Sequence, residues 1–298
     1  MPPGMNLDAE RPDVSAVIVH FETPDLLRAC LAALLAARGA RRVEIFVVDN
    51  ASKDFDADEW QRLNPDVRIV RNEQNRGFSV AANQGLALAT GRYLLLLNPD
   101  TIVATDTLET MITYLEEHPD VGCATARLEL ENGRLDLACR RSFPTPMRAF
   151  YRISMLSRLF PRSRRFGAYD LTYLDEHQEA EIDTPCGAFM FVRHEVLDQV
   201  GPLDERYFMY GEDMDWAMRM KRAGWRVMYT PSTTVRHVKR ASSRHSRPRT
   251  IHAFHDAMRI FYREYYQNAY PRWLSWAVYR SIDVREALEL SVERLRGA

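Results

Sequence analysis

From Val14 to Ala126 the chain alternates short runs of Val, Ile and Leu with stretches of helical spacing, and that rhythm leaves few folds open. VSAVIVHF precedes PDLLRACLAALLAAR; VEIFVVDN and VRIVRN precede SVAANQGLALAT; YLLLLN precedes TDTLETMITYLEEH. Continuous β-branched and leucine runs mark strands buried on both faces. Strand-helix alternation at this spacing predicts an α/β fold, a mostly parallel central sheet with helices on both faces. In such sheets ligands collect beyond the carboxyl ends of the strands. That rule singles out Phe21, Asp49, Asn50, Asn98 and Asp100.

Beyond this core the composition turns basic and aromatic, and residues 138–180 read as an insert with helical spacing in its middle. IDTPCGAFMFVRHEVLDQVG restores a strand over Ala188 to Val192, then a short helix and the turn Gly201-Pro202-Leu203-Asp204. YFMYGEDMDWAMRMKRAGW follows, then the strand WRVMYTP and the segment TTVRHVKR, read as a loop bearing His237. A cationic loop covers 239–249, and long helices are expected from Arg249 to Ala269 and from Pro271 to Arg296. The implied organisation is a lead-in over 1–13, a domain over 14–249 and a C-terminal helical extension over 250–298.

With 40 Lys and Arg against 41 Asp and Glu, no whole-molecule field favours nucleic acid as a partner. The cysteines Cys30, Cys123, Cys139 and Cys186 are scattered, without a CxxC pair, which suits structural thiols in a reducing compartment. MPPGMNLDAERPD has no apolar core of a signal peptide, so the expectation is a cytoplasmic protein. Arg interleaved with Phe, Tyr, Trp and Leu over Met147–Tyr169 and in WLSWAVYR suits peripheral contact with the inner face of an anionic membrane. Packing on the core or on a second subunit is the other reading of those segments.

No GxGxxG follows the first strand and no GxxxxGK[ST] occurs, which argues against dinucleotide oxidoreductases and P-loop enzymes. A GxSxG elbow and an HExxH helix are also missing. In VVDNAS, Asp49 either caps a turn or accepts the imide N–H of uracil or thymine. In YLLLLNPDT, Asp100 either opens a Pro-Asp turn before a helix or helps to hold a divalent cation against a diphosphate. Glu212, Asp213 and Asp215 stand where acids favour a helix N-terminus, and a general base could also sit there.

Taken in order, VSAVIVHF, VVDNAS, NRGFSVAANQG, LLLLNPD, CGAFMFVR, GPLDERYFMYGEDMDW and RHVK resemble the family-2 inverting glycosyltransferases of the GT-A fold. Within them the chain looks most like bacterial rhamnosyltransferases of cell-wall and O-antigen synthesis. The resemblance covers about Val14 to Arg240, and NxGFxxAxNxG and GEDxDW are its most specific parts. It implies a nucleoside diphosphate sugar donor, dTDP-L-rhamnose first and UDP-galactofuranose or another UDP-hexose second, with a saccharide or polyprenyl-linked acceptor. It also implies that Phe21 and Asp49 contact the base, while Asn50, Asn75, Gly77, Asn83 and Asn98 build the nucleotide pocket. Asp213 would be the catalytic base, supported by Glu212, Asp215 and Gly187, and Asp100 with His237 would hold Mg²⁺ or Mn²⁺. Here the family's DxD reads NPD, which removes one carboxylate from the metal shell. Two rival classes remain, a sugar-nucleotide pyrophosphorylase and a catalytically silent nucleotide- or glycan-binding module; HFETPDLL lacks the glycine-rich basic loop that the first would need.

Overall fold

The computed structural model describes residues 11–238 and 247–297. In chain order, the first part runs β1 (Val14–His20), α1 (Pro24–Ala37), β2 (Val43–Asp49), α2 (Ala57–Leu63), β3 (Val67–Arg71) and α3 (Phe78–Leu86). Next come β4 (Tyr93–Leu97), β5 (Thr101–Val103), α4 (Thr107–Glu117) and β6 (Val121–Leu130). The insert supplies α5 (Pro146–Ile153) and α6 (Leu156–Leu159), and β7 (Ala180–Glu181), β8 (Phe189–Arg193) and α7 (His194–Val200) follow. The chain then forms α8 (Glu212–Arg222), β9 (Arg226–His237), α9 (Arg247–Tyr265) and α10 (Arg272–Gly297).

The nine strands form one sheet in the order β3-β2-β1-β4-β8-β6-β9-β5, with β7 paired to β9 off this path. β3, β2, β1 and β4 pair parallel, as do β6 and β9, while β8, β5 and β7 run against their neighbours. This is the mostly parallel sheet that the strand runs predict. β1, β4 and β8 are buried along their whole length, which is why they carry no polar-apolar alternation. α1 covers the sheet with Leu27, Cys30, Leu31, Leu34 and Ala37, spaced so that one face meets the core. All four cysteines are free thiols, and burial pushes Cys30 and Cys139 up to about 12.

Three local expectations change. Asn98 to Thr101 make a turn closed by the Thr101 N–H on the Asn98 carbonyl, and the turn leads into β5 rather than directly into a helix. β9 extends through TTVRH, so His237 ends a strand and does not lie in a loop. Thr233, Val235 and His237 point inward while Arg236 points out, a period of two that TTVRH already spells. The strand tolerates Pro231 because its pairing with β6 is irregular there. Finally, α9 starts before the boundary drawn at 249/250, so that boundary falls inside a helix. Most of the cationic loop, residues 239–246, lies outside the described residues.

A second apolar cluster fastens α9 to the core. Phe143, Tyr207, Ala217, Ala257 and Phe261 bury one another where the insert begins, where the YFMY segment turns and where α8 starts its second turn. This contact hangs the C-terminal pair over the carboxyl ends of the strands. No helix among the described residues is long and apolar enough to cross a membrane.

Candidate active site

Three loops meet beyond the ends of β1, β2 and β3. Asn50 joins them: its Nδ2 donates to Asn75 Oδ1 and to the Gly77 carbonyl, both at 3.0 Å, and its Oδ1 accepts the Arg76 N–H at 3.1 Å. Gly77 has φ 91°, and a Cβ there would lie 2.5 Å from the Phe208 carbonyl oxygen, so only glycine lets this loop touch the YFMY segment. The Phe78 N–H donates to that same oxygen. Phe21, Asn50, Asn75 and Gly77 therefore line one end of a cleft.

Two residues expected in the nucleotide pocket do other work. Asp49 is fully buried and does not line the cleft. Its Oδ1 is 2.9 Å from His20 Nδ1, and its Oδ2 accepts the Ser52 N–H at 3.1 Å. Because His20 Nε2 accepts the Thr23 N–H, the ring proton sits on Nδ1 and is donated to Asp49. The carboxylate thus holds together the loops that carry Phe21 and Asn50. Asn83 clamps Leu203, donating to its carbonyl at 2.9 Å and accepting its N–H at 3.0 Å, away from the cleft. That pair anchors the GPLD turn ahead of the YFMY segment.

Pairing of β5 with β9 places Thr101 opposite His237, which brings Asp100 and His237 side by side. His237 Nε2 lies 3.4 Å from Asp100 Oδ1, and its Nδ1 lies 2.9 Å from Asp136 Oδ2. Burial opposes a charged ring, yet the hydrogen bonds to both carboxylates win and push His237 up to about 9. Asn98 and Pro99 complete this part of the wall.

Across the cleft, Tyr210 and Gly211 both take positive φ, 70° and 83°, and the sharp turn they make starts α8 at Glu212. Asp213 sits in the first turn, with Oδ2 accepting Arg141 Nη2 at 2.6 Å and the Gly187 N–H at 3.1 Å. Its Oδ1 accepts the Met214 N–H at 2.7 Å. A carboxylate offers about four lone-pair sites, so one remains for an incoming hydroxyl. Glu212 is buried beside it with Oε2 unpartnered, and burial together with the Asp213 charge raises its pKa well above the carboxylate range. Asp215 points the other way, bound by Arg219 Nε at 2.8 Å and by the Tyr265 hydroxyl at 2.5 Å. Trp216, fully buried with Nε1 donating to the Gly201 carbonyl, pins the helix.

These walls enclose a cleft of about 1760 Å³ that holds Asn50, Asp100, Gly187, Asp213 and His237 together. The family described as "Glycosyltransferase like family 2" matches residues 12–251, most of the chain and every wall just described. This chain belongs to that family. Among curated glycosyltransferases it is 25% identical over 287 residues to the N-acetylglucosaminyl-diphospho-decaprenol L-rhamnosyltransferase of Mycobacterium tuberculosis, covering 93% of this chain and 92% of that one. It is also 31% identical to the rhamnosyltransferase WbbL of Escherichia coli over 140 residues, 47% of this chain and 50% of that protein. Among solved structures, the mannosyltransferase PcManGT of Pyrobaculum calidifontis in complex with GDP-Man and Mn²⁺ superposes over 85% of this chain with a TM-score of 0.57 at 20% identity. The chain spans between 38% and 65% of the length of such solved chains.

In this glycosyltransferase the divalent cation that the fold implies has a fitting place. Asp100 Oδ1 is buried with the His237 ring 3.4 Å away and no short hydrogen bond, which fits an oxygen that can take a cation. Asp136 on Nδ1 orients the His237 ring and leaves Nε2 toward Asp100, the usual outer-shell arrangement of a metal-ligating histidine. Among the described residues no group of three or more His, Cys, Asp or Glu is arranged to hold a metal, so substrate oxygens would complete the shell.

Sequence reasoning passed over two residues that the fold brings to the site, Arg141 and Asp136. Neither carries a local signal, since each comes from the segment after β6 and meets its partner across 72 and 101 residues of chain. Pro144 and Pro146 hinted only that the segment turns.

Proposed function

We propose that this glycosyltransferase moves L-rhamnose from dTDP-L-rhamnose, with inversion, to a hydroxyl of a lipid-linked saccharide. The observation that carries the reading is a single carboxylate, Asp213, held by Arg141 and Gly187 in the cleft that Asp100 and Asn50 also line. Inversion needs one displacement: the acceptor oxygen bonds to the anomeric carbon, the bond from that carbon to the diphosphate oxygen breaks, and the hydroxyl proton passes to Asp213. Arg141 keeps Asp213 aimed at the acceptor. Neighbouring Glu212, raised in pKa by burial, supplies a proton-bearing wall that adds little negative charge near the departing diphosphate.

Asp100 and His237 would hold Mg²⁺ or Mn²⁺, which offsets the charge developing on the diphosphate. Asn98, in place of the first carboxylate of a DxD, leaves that shell one charge short, so the donor's own oxygens matter more to cation affinity. Support for rhamnose comes from the mycobacterial relative, aligned over 93% of this chain. That relative's substrate, named as an N-acetylglucosaminyl-diphospho-decaprenol, supports a lipid-linked acceptor.

Thermal-shift measurements with dTDP, UDP and GDP, each with and without Mn²⁺, test the donor, because a ligand that binds only the native state raises Tm. The largest rise is expected for dTDP with Mn²⁺, and Asp100→Ala should erase the Mn²⁺ increment. A larger rise with UDP would replace the donor assignment. A Mn²⁺ increment that survives Asp100→Ala would remove Asp100 from the shell.

A further inference from the structure

The cleft continues past Asp213 into a long arm between the insert and the C-terminal helices. Its volume of about 1760 Å³ exceeds the roughly 300–1000 Å³ of a pocket that encloses one small ligand. Donor-side residues account for one end. The other end is lined by Phe150 and Ile153 of α5, Met258 of α9, and Leu274, Val278 and Ile282 of α10. Leu274, Val278 and Ile282 follow at four-residue steps, so one face of α10 is turned to the arm.

Outside that face, α10 exposes Trp273 (71%) and Trp276 (64%) to solvent. On the opposite bank, Phe150 and Ile153 line the arm and are more than half exposed, and the insert also exposes Leu159 and Phe160 outside it. Single exposed apolar residues need no explanation, but an apolar cleft wall with exposed Trp, Leu and Phe on the same two elements marks an interaction site. Cationic groups are set among them: Arg152, 3.5 Å from Asp170, and the exposed Arg158 also line the arm. An apolar channel with guanidinium groups along it matches an amphiphile whose hydrocarbon is joined to a strongly anionic head.

We infer that the arm seats the polyprenyl diphosphate end of the acceptor. Its diphosphate lies at Arg152 and Arg158, and its isoprenoid runs along Ile153 and Val278 toward Trp273 and Trp276, which rest at the bilayer surface. The inference rests on the glycosyl-transfer reading of the cleft and adds where the lipid goes.

Two measurements test it. The first is calorimetric binding of farnesyl diphosphate, below its micelle concentration, to the unaltered protein and to Ile153→Asp/Val278→Asp. The second is the ratio of kcat/KM on a polyprenyl-diphosphate-linked saccharide to kcat/KM on the same saccharide as a water-soluble glycoside. Binding by the unaltered protein is expected, weakened at least tenfold in the double variant, with the ratio also falling at least tenfold. An intact nucleotide-induced rise in Tm checks that the variant is folded. Absent binding, equal binding by both proteins, or an unchanged ratio overturns the inference. Should farnesyl diphosphate bind in this way while no nucleotide raises Tm and no sugar is transferred, the glycosyl-transfer reading falls and the arm stands as a prenyl diphosphate site.

Discussion

The two halves of the cleft are built differently. On the side of Asn50, polar side chains in the cleft wall and just behind it are locked to backbone groups of neighbouring loops: Asn50 on Gly77 in the wall, Asp49 on Ser52 and Asn83 on Leu203 behind it. On the other side the walls are helices that present apolar residues, Phe150 and Ile153 of α5 and Leu274 and Val278 of α10. A site that must hold one small, rigid nucleotide gains from fixed polar geometry, since leaving a buried polar group unpaired costs about 1–3 kcal/mol. A long flexible hydrocarbon gains only from apolar area, which is non-directional. Asp213 stands at the seam, and its ligands come from both sides: Gly187 from the end of the core and Arg141 from the start of the insert.

The largest effect should come from breaking that seam. Asp213→Asn keeps the shape of the side chain and removes its basicity, so transfer should fall by about 10²–10⁴-fold while the nucleotide-induced rise in Tm survives. Steady-state rates near the wild-type value would sink Asp213 as the base. Next in size, Arg141→Met leaves a buried carboxylate without its cation, which typically costs about 3–5 kcal/mol. Urea denaturation measures this, and a loss under 1 kcal/mol would mean that solvent replaces the guanidinium.

On the donor side, Gly77→Ala forces a methyl group against the Phe208 carbonyl at a positive φ, a strain of about 1–3 kcal/mol. Its signature should be a raised KM for donor with an unchanged KM for acceptor, and equal changes in both would blur the division between halves. The smallest effect concerns pH. A Glu212 pKa raised by burial and by Asp213 means that the folded state binds this proton more tightly than the unfolded chain. Stability from this group is therefore full below the ordinary glutamate pKa and is lost as pH rises toward the raised value. Glu212→Gln should flatten the fall of Tm across that window, and an identical Tm-pH curve would show that Glu212 titrates normally.

Legibility followed the same division. The parallel half of the sheet was written in its Val, Ile and Leu runs, because strands buried on both faces admit little else. GEDMDW, with Gly211 at positive φ, Asp213 in the first turn and Trp216 in the core, carries its geometry within six consecutive residues. His237 was harder. Its strand register was present in TTVRH, but the preceding Pro231 masked it, and only pairing with β5 brings it to Asp100. Asp49, at the end of β2, suits a ligand contact by position, while in the fold its Oδ1 meets His20 and its Oδ2 accepts the Ser52 N–H.

By itself the sequence determined the family, the α/β core and the motif that carries the candidate base, because those depend on local periodicity and on short spacings along the chain. Only the tertiary structure decided that Arg141 holds Asp213, that Asp136 orients His237, and that the insert and α10 share one apolar arm. Each of these joins residues far apart in sequence, and the free energy of such a contact depends on burial and distance, which no stretch of sequence records.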